Sequence, residues 1–182
     1  GLLVYEFRSD ADIKEKYNPD GSALRRDQLE LLRMLQFVAE ICRDNGIRWW
    51  LSSGTLLGAA RHKGFIPWDD DMDIVMLRED YDRFEKVMLS RDDDEFVYHC
   101  MKSDVEYVNV FGKFRKKNDP VFSSDQRSQY FKYQGVGLDV FSLEKSNRFA
   151  AHMAKFLYLN LIHPTQYIKN RFWRHFAIKS VQ

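Results

Sequence analysis

The sequence lacks the features that would assign it to a specialised class of protein. Only two of its 182 residues are cysteines, Cys42 and Cys100, which is too few for a disulfide framework. We find no apolar run long enough to cross a bilayer and no recognisable signal peptide, and we therefore expect a cytoplasmic protein. With 28 basic and 27 acidic residues the net charge is +1, so overall charge indicates no class of partner.

The composition is instead typical of one folded domain with a sizeable core. Apolar residues make up 45% of the chain and charged residues 30%, which are ordinary values for a globular protein. We divide the chain into an irregular N-terminal segment, a catalytic core, and a basic, aromatic helical segment, with bounds 1–21, 22–144 and 145–182.

Hydrophobic periodicity predicts the elements of the core. Ser22 is the expected N-cap of a long helix that ends near Asn45-Gly46, and its buried stripe comprises Leu31, Leu35, Val38 and Cys42. A second helix is predicted over 79–88, and strands are predicted over 96–99, 108–115 and 135–141. We interpret the acidic run 91–95 as a solvated loop and the polar stretch 123–134 as a mobile one.

The chain is organised around residues 49–76, which read WWLSSGTLLGAARHKGFIPWDDDMDIVM. A short apolar strand leads through a Gly54-Thr55 turn into a helix-like stretch, which a basic cluster follows: Arg61, His62 and Lys63. Beyond Trp68, four aspartates lead directly into an apolar strand: Asp69, Asp70, Asp71 and Asp73. Because side chains alternate across a strand, we expect Met72, Ile74 and Met76 to face the core, and Asp71 and Asp73 to point the other way.

Four carboxylates in five positions repel one another and need either a cation or abundant water. Mg²⁺ takes oxygen ligands and leaves positions open for substrate phosphates, so a metal site is one interpretation and an exposed acidic turn is the other. The Gly54-Thr55 turn favours the metal site, because backbone N–H groups at such a turn bind anions. Asp69 shares a face with Asp71 and is expected to be either an added ligand or the general base.

The run GTLLGAARHKGFIPWDDDMDI resembles the signature of the LicD family, which includes the fukutin-related proteins. The likeness extends from about Tyr17 to about Leu143. It implies an α+β nucleotidyltransferase (DNA polymerase β-like) fold, with a mixed sheet flanked by helices and a helical C-terminal segment. It also implies transfer of an alcohol phosphate, phosphocholine-like or a polyol phosphate, from a nucleotide-diphosphate donor such as a CDP-alcohol to a glycan hydroxyl, as in lipopolysaccharide or capsule biosynthesis. The basic cluster lies in an insertion, because the gap from Gly54-Thr55 to Asp71 is longer than in most nucleotidyltransferases.

With this resemblance, the candidate residues acquire roles. Asp139 lies in an apolar strand, where a carboxylate is costly unless it is paired or bound to metal, and the family pattern has an acidic residue there. We expect Asp71, Asp73 and Asp139 to hold one or two Mg²⁺ or Mn²⁺ ions. The expected substrate-binding residues are Gly54, Thr55, Arg61, His62, Lys63, Trp68, Lys113 and Arg115.

Several of these assignments have alternatives. His62 either orients a phosphate or is structural. Trp68 either stacks on a base or a choline-like cation, or it packs beneath its loop. The strand cations Lys113 and Arg115 either bind a phosphate or are merely exposed. For the whole chain, the alternatives are nucleoside monophosphate transfer and an inactive binding module. We expect no nucleic-acid partner, because no second basic domain is visible. Residues 165–179 either contact an anionic membrane carrying a lipid-linked glycan or pack on the core.

Overall fold

A computed structural model describes residues 10–118, 130–157, 159–160 and 164, so residues 165–179, with their two alternatives, and most of the loop expected over 123–134 lie outside it. The helices are α1 (Asp10–Tyr17), α2 (Ala23–Asp44), α3 (Ser53–His62), α4 (Arg78–Leu89) and α5 (Arg148–Leu157). The strands are β1 (Trp50–Leu51), β2 (Asp73–Leu77), β3 (Phe96–His99), β4 (Gly112–Lys116) and β5 (Gly137–Leu143). Within these described parts, no helix combines the length and apolar character that crossing a membrane requires.

The five strands form one sheet in the order β1-β2-β5-β4-β3. Only β2 and β5 are parallel, and the other neighbours are antiparallel, which makes the sheet mixed. The parallel pair requires a long crossover, and the intervening chain supplies α4 together with β3 and β4. The α+β architecture expected from the resemblance is confirmed.

One face of the sheet carries the main core. Met72, Ile74 and Met76 are at most 2% exposed, as the alternation predicts, and they pack with α2 and α4. The long helix α2 begins after Ser22, whose side chain accepts a hydrogen bond from the backbone N–H of Arg25, as expected of an N-cap. The opposite face is partly covered by a smaller apolar cluster of Tyr107, Val108 and Phe131.

Three local expectations are wrong. The N-terminal segment is not wholly irregular, because it contains α1. This short helix has no marked apolar stripe from which it could have been predicted. Residues 108–111 do not belong to the predicted strand, which begins only at Gly112. Gly54 and Thr55 are not a turn but lie in the first turn of α3, and the residue with a left-handed conformation is Ser53, whose φ is 48°.

The segment 64–66 passes unusually close to α3. A Cβ atom added at Gly58 would lie 2.6 Å from the Gly64 carbonyl oxygen and 2.8 Å from the Ile66 nitrogen. Backbone atoms cannot rotate away as a side chain can, so only glycine fits at this crossing. Gly58 thereby fixes the path of the chain just before the four aspartates.

We expect Gly58→Ala to lower the free energy of unfolding by about 2 kcal/mol, because overpacking outweighs the helix propensity that alanine adds. Gly64→Ala is the matched control: its Cβ would meet no atom within 4 Å, and its stability should change by less than about 0.5 kcal/mol. Urea unfolding of both variants measures the difference. Equal stability of the two would contradict the close approach.

A buried amide holds the next part of the same segment. Gln28 on α2 is 1% exposed, and its Nε2 donates to the backbone carbonyl oxygens of Asp69 at 2.8 Å and Ile66 at 3.4 Å. Its Oε1 accepts from Asn18 Nδ2 at 2.8 Å and from Arg25 Nη1 at 3.1 Å. Two of these four hydrogen bonds tie α2 to the loop that carries the aspartates.

Replacing Gln28 by leucine keeps the volume but removes every one of these bonds. Because Asn18 is also buried, its amide would be left without this partner, and we expect a loss of about 2–4 kcal/mol of unfolding free energy. Gln36→Leu, on the exposed side of the same helix, should change stability by less than about 0.5 kcal/mol. If Gln28→Leu were as stable as Gln36→Leu in urea, the bracing role would be wrong.

Candidate functional site

Four titratable side chains form a row across the second face of the sheet. The register pairs Asp73 with Asp139, Asp139 with Lys113, and Lys113 with His99. Residues paired directly across neighbouring strands point to the same side, so these side chains are neighbours. Lys113 Nζ lies 2.7 Å from Asp139 Oδ1, an ion pair in which both side chains are mostly buried. Two residues predicted separately, Lys113 and Asp139, thus contact each other.

A glycine makes room for this ion pair. Gly137 precedes Asp139 by two residues on the same face, and a Cβ there would lie 2.7 Å from Lys113 Cγ and 3.0 Å from Arg115 Cγ. The aliphatic stem of Lys113 therefore lies over the bare backbone of β5 and extends toward Asp139. Sequence reasoning missed Gly137, because its importance depends on a strand that is distant in sequence.

The aspartates of the loop gather beside this row. Carboxylate oxygens of Asp69, Asp70 and Asp71 lie within 4.8 Å of one another, an arrangement that can hold a metal ion. Asp69 also approaches the first turn of α3 closely, since a Cβ at Gly54 would lie 2.8 Å from its Oδ2. A carboxylate at a helix N-terminus is stabilised by the helix dipole.

This grouping differs from the expected ligand set of Asp71, Asp73 and Asp139. In the described part of the chain, the three mutually close carboxylates are the consecutive ones, whereas Asp73 and Asp139 face each other on adjacent strands. Asp71 links the two groups electrostatically, since its charge raises the pKa of both Asp69 and Asp73. The acidic site is thus wider than the predicted triad, and the role of each ligand stays a prediction.

Burial and mutual repulsion disfavour the ionised form of these carboxyl groups. Burial, followed by the charge of Asp71, raises the pKa of Asp69 and that of Asp73 above their ordinary value. Burial raises the pKa of Asp139 to about 6, although the Lys113 ammonium acts in the opposite direction. Ionising all of them costs free energy that a bound cation would offset.

Thr55 fixes the start of β2 rather than pointing away from it. Its Oγ1 accepts a hydrogen bond from the backbone N–H of Asp73 at 2.8 Å, and the side chain is buried. The backbone N–H of Ser52 donates to the carbonyl oxygen of Asp73 at 3.0 Å. Ser52 and the first turn of α3 therefore position Asp73, and the phosphate contact predicted for Gly54 and Thr55 remains a prediction.

The basic cluster at the end of α3 divides into two parts. Arg61 and Lys63 are exposed, and Lys63 adopts a left-handed conformation with a φ of 57° while its Nζ donates to the Ala60 carbonyl oxygen. His62 is half-buried and lines a separate cavity together with Lys14 and Arg25. The three neighbours in sequence therefore do not share one environment.

Trp68 is 58% exposed, so it does not pack beneath its loop. Its ring meets that of Tyr17 edge-on, with centroids 5.6 Å apart, and Tyr17 is 52% exposed. The pair forms an accessible aromatic surface immediately before Asp69. Such a surface can accept a planar base or a cation.

Arg115 is 5% exposed and donates to the carbonyl oxygen of Gly135. This contact fixes the approach to β5, and the predicted contact of Arg115 with phosphate stays a prediction. Its buried position differs from that of Lys113, which shares the face but reaches the acidic site.

A buried histidine completes the row and was not anticipated. His99 is fully buried, and its Nε2 lies 2.8 Å from Asp104 Oδ2. Burial lowers the pKa of His99, so the neutral ring donates to the carboxylate. Although burial acts to raise the pKa of Asp104, hydrogen bonds from His99 and from the N–H groups of Lys132 and Glu106 lower it. This pair joins β3 to the segments that cover the second face.

Comparison with known proteins identifies relatives of this chain. The lipopolysaccharide cholinephosphotransferase LicD of Haemophilus influenzae is 50% identical over 64 residues, which is 35% of this chain and 24% of that protein. The human ribitol 5-phosphate transferase FKRP is 42% identical over 52 residues, 29% of this chain and 10% of that protein. Mouse ribitol-5-phosphate transferase FKTN is 40% identical over 62 residues, 34% of this chain and 13% of that protein.

These relatives are much longer than the matched region, since the chain covers at most about a quarter of each. The family-level match is broader. Residues 46–182 match the nucleotidyltransferase domain of LicD, FKTN and FKRP, a range that begins just before β1 and includes the aspartates, Lys113 and Asp139. The chain belongs to the LicD/FKTN/FKRP nucleotidyltransferase domain family.

Proposed function

We propose that the chain catalyses metal-dependent transfer of an alcohol phosphate, phosphocholine-like or a polyol phosphate, from a nucleotide-diphosphate donor such as a CDP-alcohol to a glycan hydroxyl. The observation that carries the proposal is the gathering of Asp69, Asp70 and Asp71 beside the row of Asp73, Asp139 and Lys113. Relatives named as cholinephosphate and ribitol-phosphate transferases support the reaction class.

The residues present suit a hard divalent cation. All the candidate ligands are carboxylate oxygens, which Mg²⁺ and Mn²⁺ prefer. Burial raises the pKa of Asp69, Asp73 and Asp139, and a bound cation would favour their ionised form. Asp71, Asp73 and Asp139 would hold the ion or ions, and Asp69 would be an added ligand or the general base. When bound, the metal supplies neutralisation of the phosphate charge during in-line displacement.

The remaining residues bind and orient the substrates. Lys113 holds Asp139 in place and, from the same position, presents its ammonium group to a donor phosphate. The exposed side chains of Arg61 and Lys63 would neutralise the leaving nucleotide. The aromatic pair of Tyr17 and Trp68 offers a surface for the nucleotide base or a choline-like cation.

The reaction is tested by following both halves of a labelled donor. The full chain is incubated with Mg²⁺, a glycan acceptor and CDP-choline or CDP-ribitol, labelled either in the alcohol or in the cytidine. Alcohol label on the glycan together with released CMP supports the proposal. Cytidine label on the glycan would instead establish nucleoside monophosphate transfer, and absence of both turnover and Mn²⁺ binding would establish a binding module.

We expect Asp71→Asn and Asp139→Asn to lower kcat by about 10²-fold or more, because each removes a carboxylate charge that would hold the metal. Asp71→Asn should fold at least as stably as the parent, since it relieves carboxylate repulsion. Asp94→Asn, in the exposed loop before β3, is the control and should be silent. If Asp139→Asn behaved like Asp94→Asn, Asp139 would not be a ligand.

A further inference from the structure

A cavity lies next to the loop that carries the aspartates. It has a volume of about 190 Å³, and three basic side chains from three helices line it: Lys14 of α1, Arg25 of α2 and His62 of α3. Among the described residues that line it, none is acidic. The buried amides of Asn18 and Gln28 also contribute to its wall. The cations Lys14 and Arg25, which come from separate helices, suit an anionic ligand in this cavity.

The position of Arg25 strengthens this interpretation. The first turn of α2 contains no acidic residue and instead carries Arg25 and Arg26. The positive end of the helix dipole disfavours cations at that position, so the arrangement costs stability unless an anion is present. Local arrangements that cost stability are expected at functional sites.

Asp20 compensates this charge only in part. Its Oδ1 lies 3.0 Å from Lys14 Nζ and 4.0 Å from Arg25 Nε, but the Asp20 side chain is 82% exposed. Ion pairs that are so exposed contribute little and exchange readily with other anions. A ligand carrying more negative charge would therefore compete well for Lys14 and Arg25.

We propose that this cavity is a phosphate-binding subsite, separate from the aspartate cluster and specific for a phosphate group of a substrate. Lys14 and Arg25 would bind the phosphate oxygens, with His62 completing the cavity wall. The subsite adjoins the catalytic loop, because Gln28 lines the cavity and also donates to the Asp69 carbonyl oxygen at 2.8 Å. Phosphate binding here does not rest on the proposed function, whereas the source of the phosphate does.

Calorimetric titration of the full chain with inorganic phosphate in the presence of EDTA tests the subsite without any metal. We expect saturable binding that Arg25→Ala or Lys14→Ala weakens by about tenfold or more, as for a lost charged hydrogen bond. Arg26→Ala is the matched control, since it removes the same charge from the same turn but Arg26 does not line the cavity. Its affinity for phosphate should stay within about twofold.

Asp71→Asn separates this subsite from the catalytic centre, because it should lose turnover yet bind phosphate with unchanged affinity. Absence of saturable phosphate binding would overturn the proposal. Equal weakening in Arg26→Ala would also overturn it, by showing that only the general charge matters. Circular dichroism of each variant verifies the fold, and the two substitutions on different helices provide independent tests.

The source of the phosphate is identified by the kinetics of Arg25→Ala. A raised KM for the CDP-alcohol alone assigns the subsite to the donor, and a raised KM for a phosphorylated glycan alone assigns it to the acceptor. Unchanged KM values for both would overturn its role in substrate binding, even if free phosphate still bound.

Discussion

The register between β2 and β5 is the constraint on which the site depends. Ile74 and Met76 of β2 and Leu138 and Val140 of β5 are all buried on one face of the sheet, and this burial fixes the pairing. The same register necessarily places Asp73 beside Asp139 on the other face. A slip by one residue would expose the apolar residues and bury the carboxylates, so the core specifies the acidic pair. Lys113, brought alongside by β4, partly neutralises the charge that this pairing concentrates.

A second constraint acts on the loop before β2. The aspartates at 69–71 belong to no strand or helix, so their positions depend on contacts made by neighbouring segments. Gly58 allows the backbone to pass against α3, Gly54 admits the Asp69 carboxylate, and Gln28 holds the Asp69 carbonyl oxygen. Two glycines and one buried amide therefore fix the position of the loop, as strand pairing fixes the positions of Asp73 and Asp139. Catalytic geometry built on a loop requires such bracing.

Sequence reasoning succeeded where the signal was local and failed where it depended on distant partners. The cap at Ser22, the stripe of α2 and the alternation through Met72, Ile74 and Met76 follow from periodicity alone. The Lys113–Asp139 contact, the need for glycine at Gly137 and the gathering of Asp69 with Asp70 depend on long-range packing that no local pattern encodes. Gln28 could have been found, because it lies three residues before Leu31 on the buried stripe, where a polar side chain needs a partner.

Departures from local preference occur in several elements of this structure. Asp139 interrupts an apolar strand, Ser53 and Lys63 adopt positive φ values without being glycine, and Arg25 opposes a helix dipole. Each arrangement costs free energy, and the apolar packing on the opposite face of the sheet offsets these costs. None of these arrangements contributes to that packing. Two of them adjoin the aspartate segment: Arg25 through Gln28, which also binds the Asp69 carbonyl oxygen, and Asp139 through its pairing with Asp73. The proposed metal site among the carboxylates and the proposed phosphate subsite beside Lys14 and Arg25 would together match the charges of a metal-bound, phosphorylated substrate.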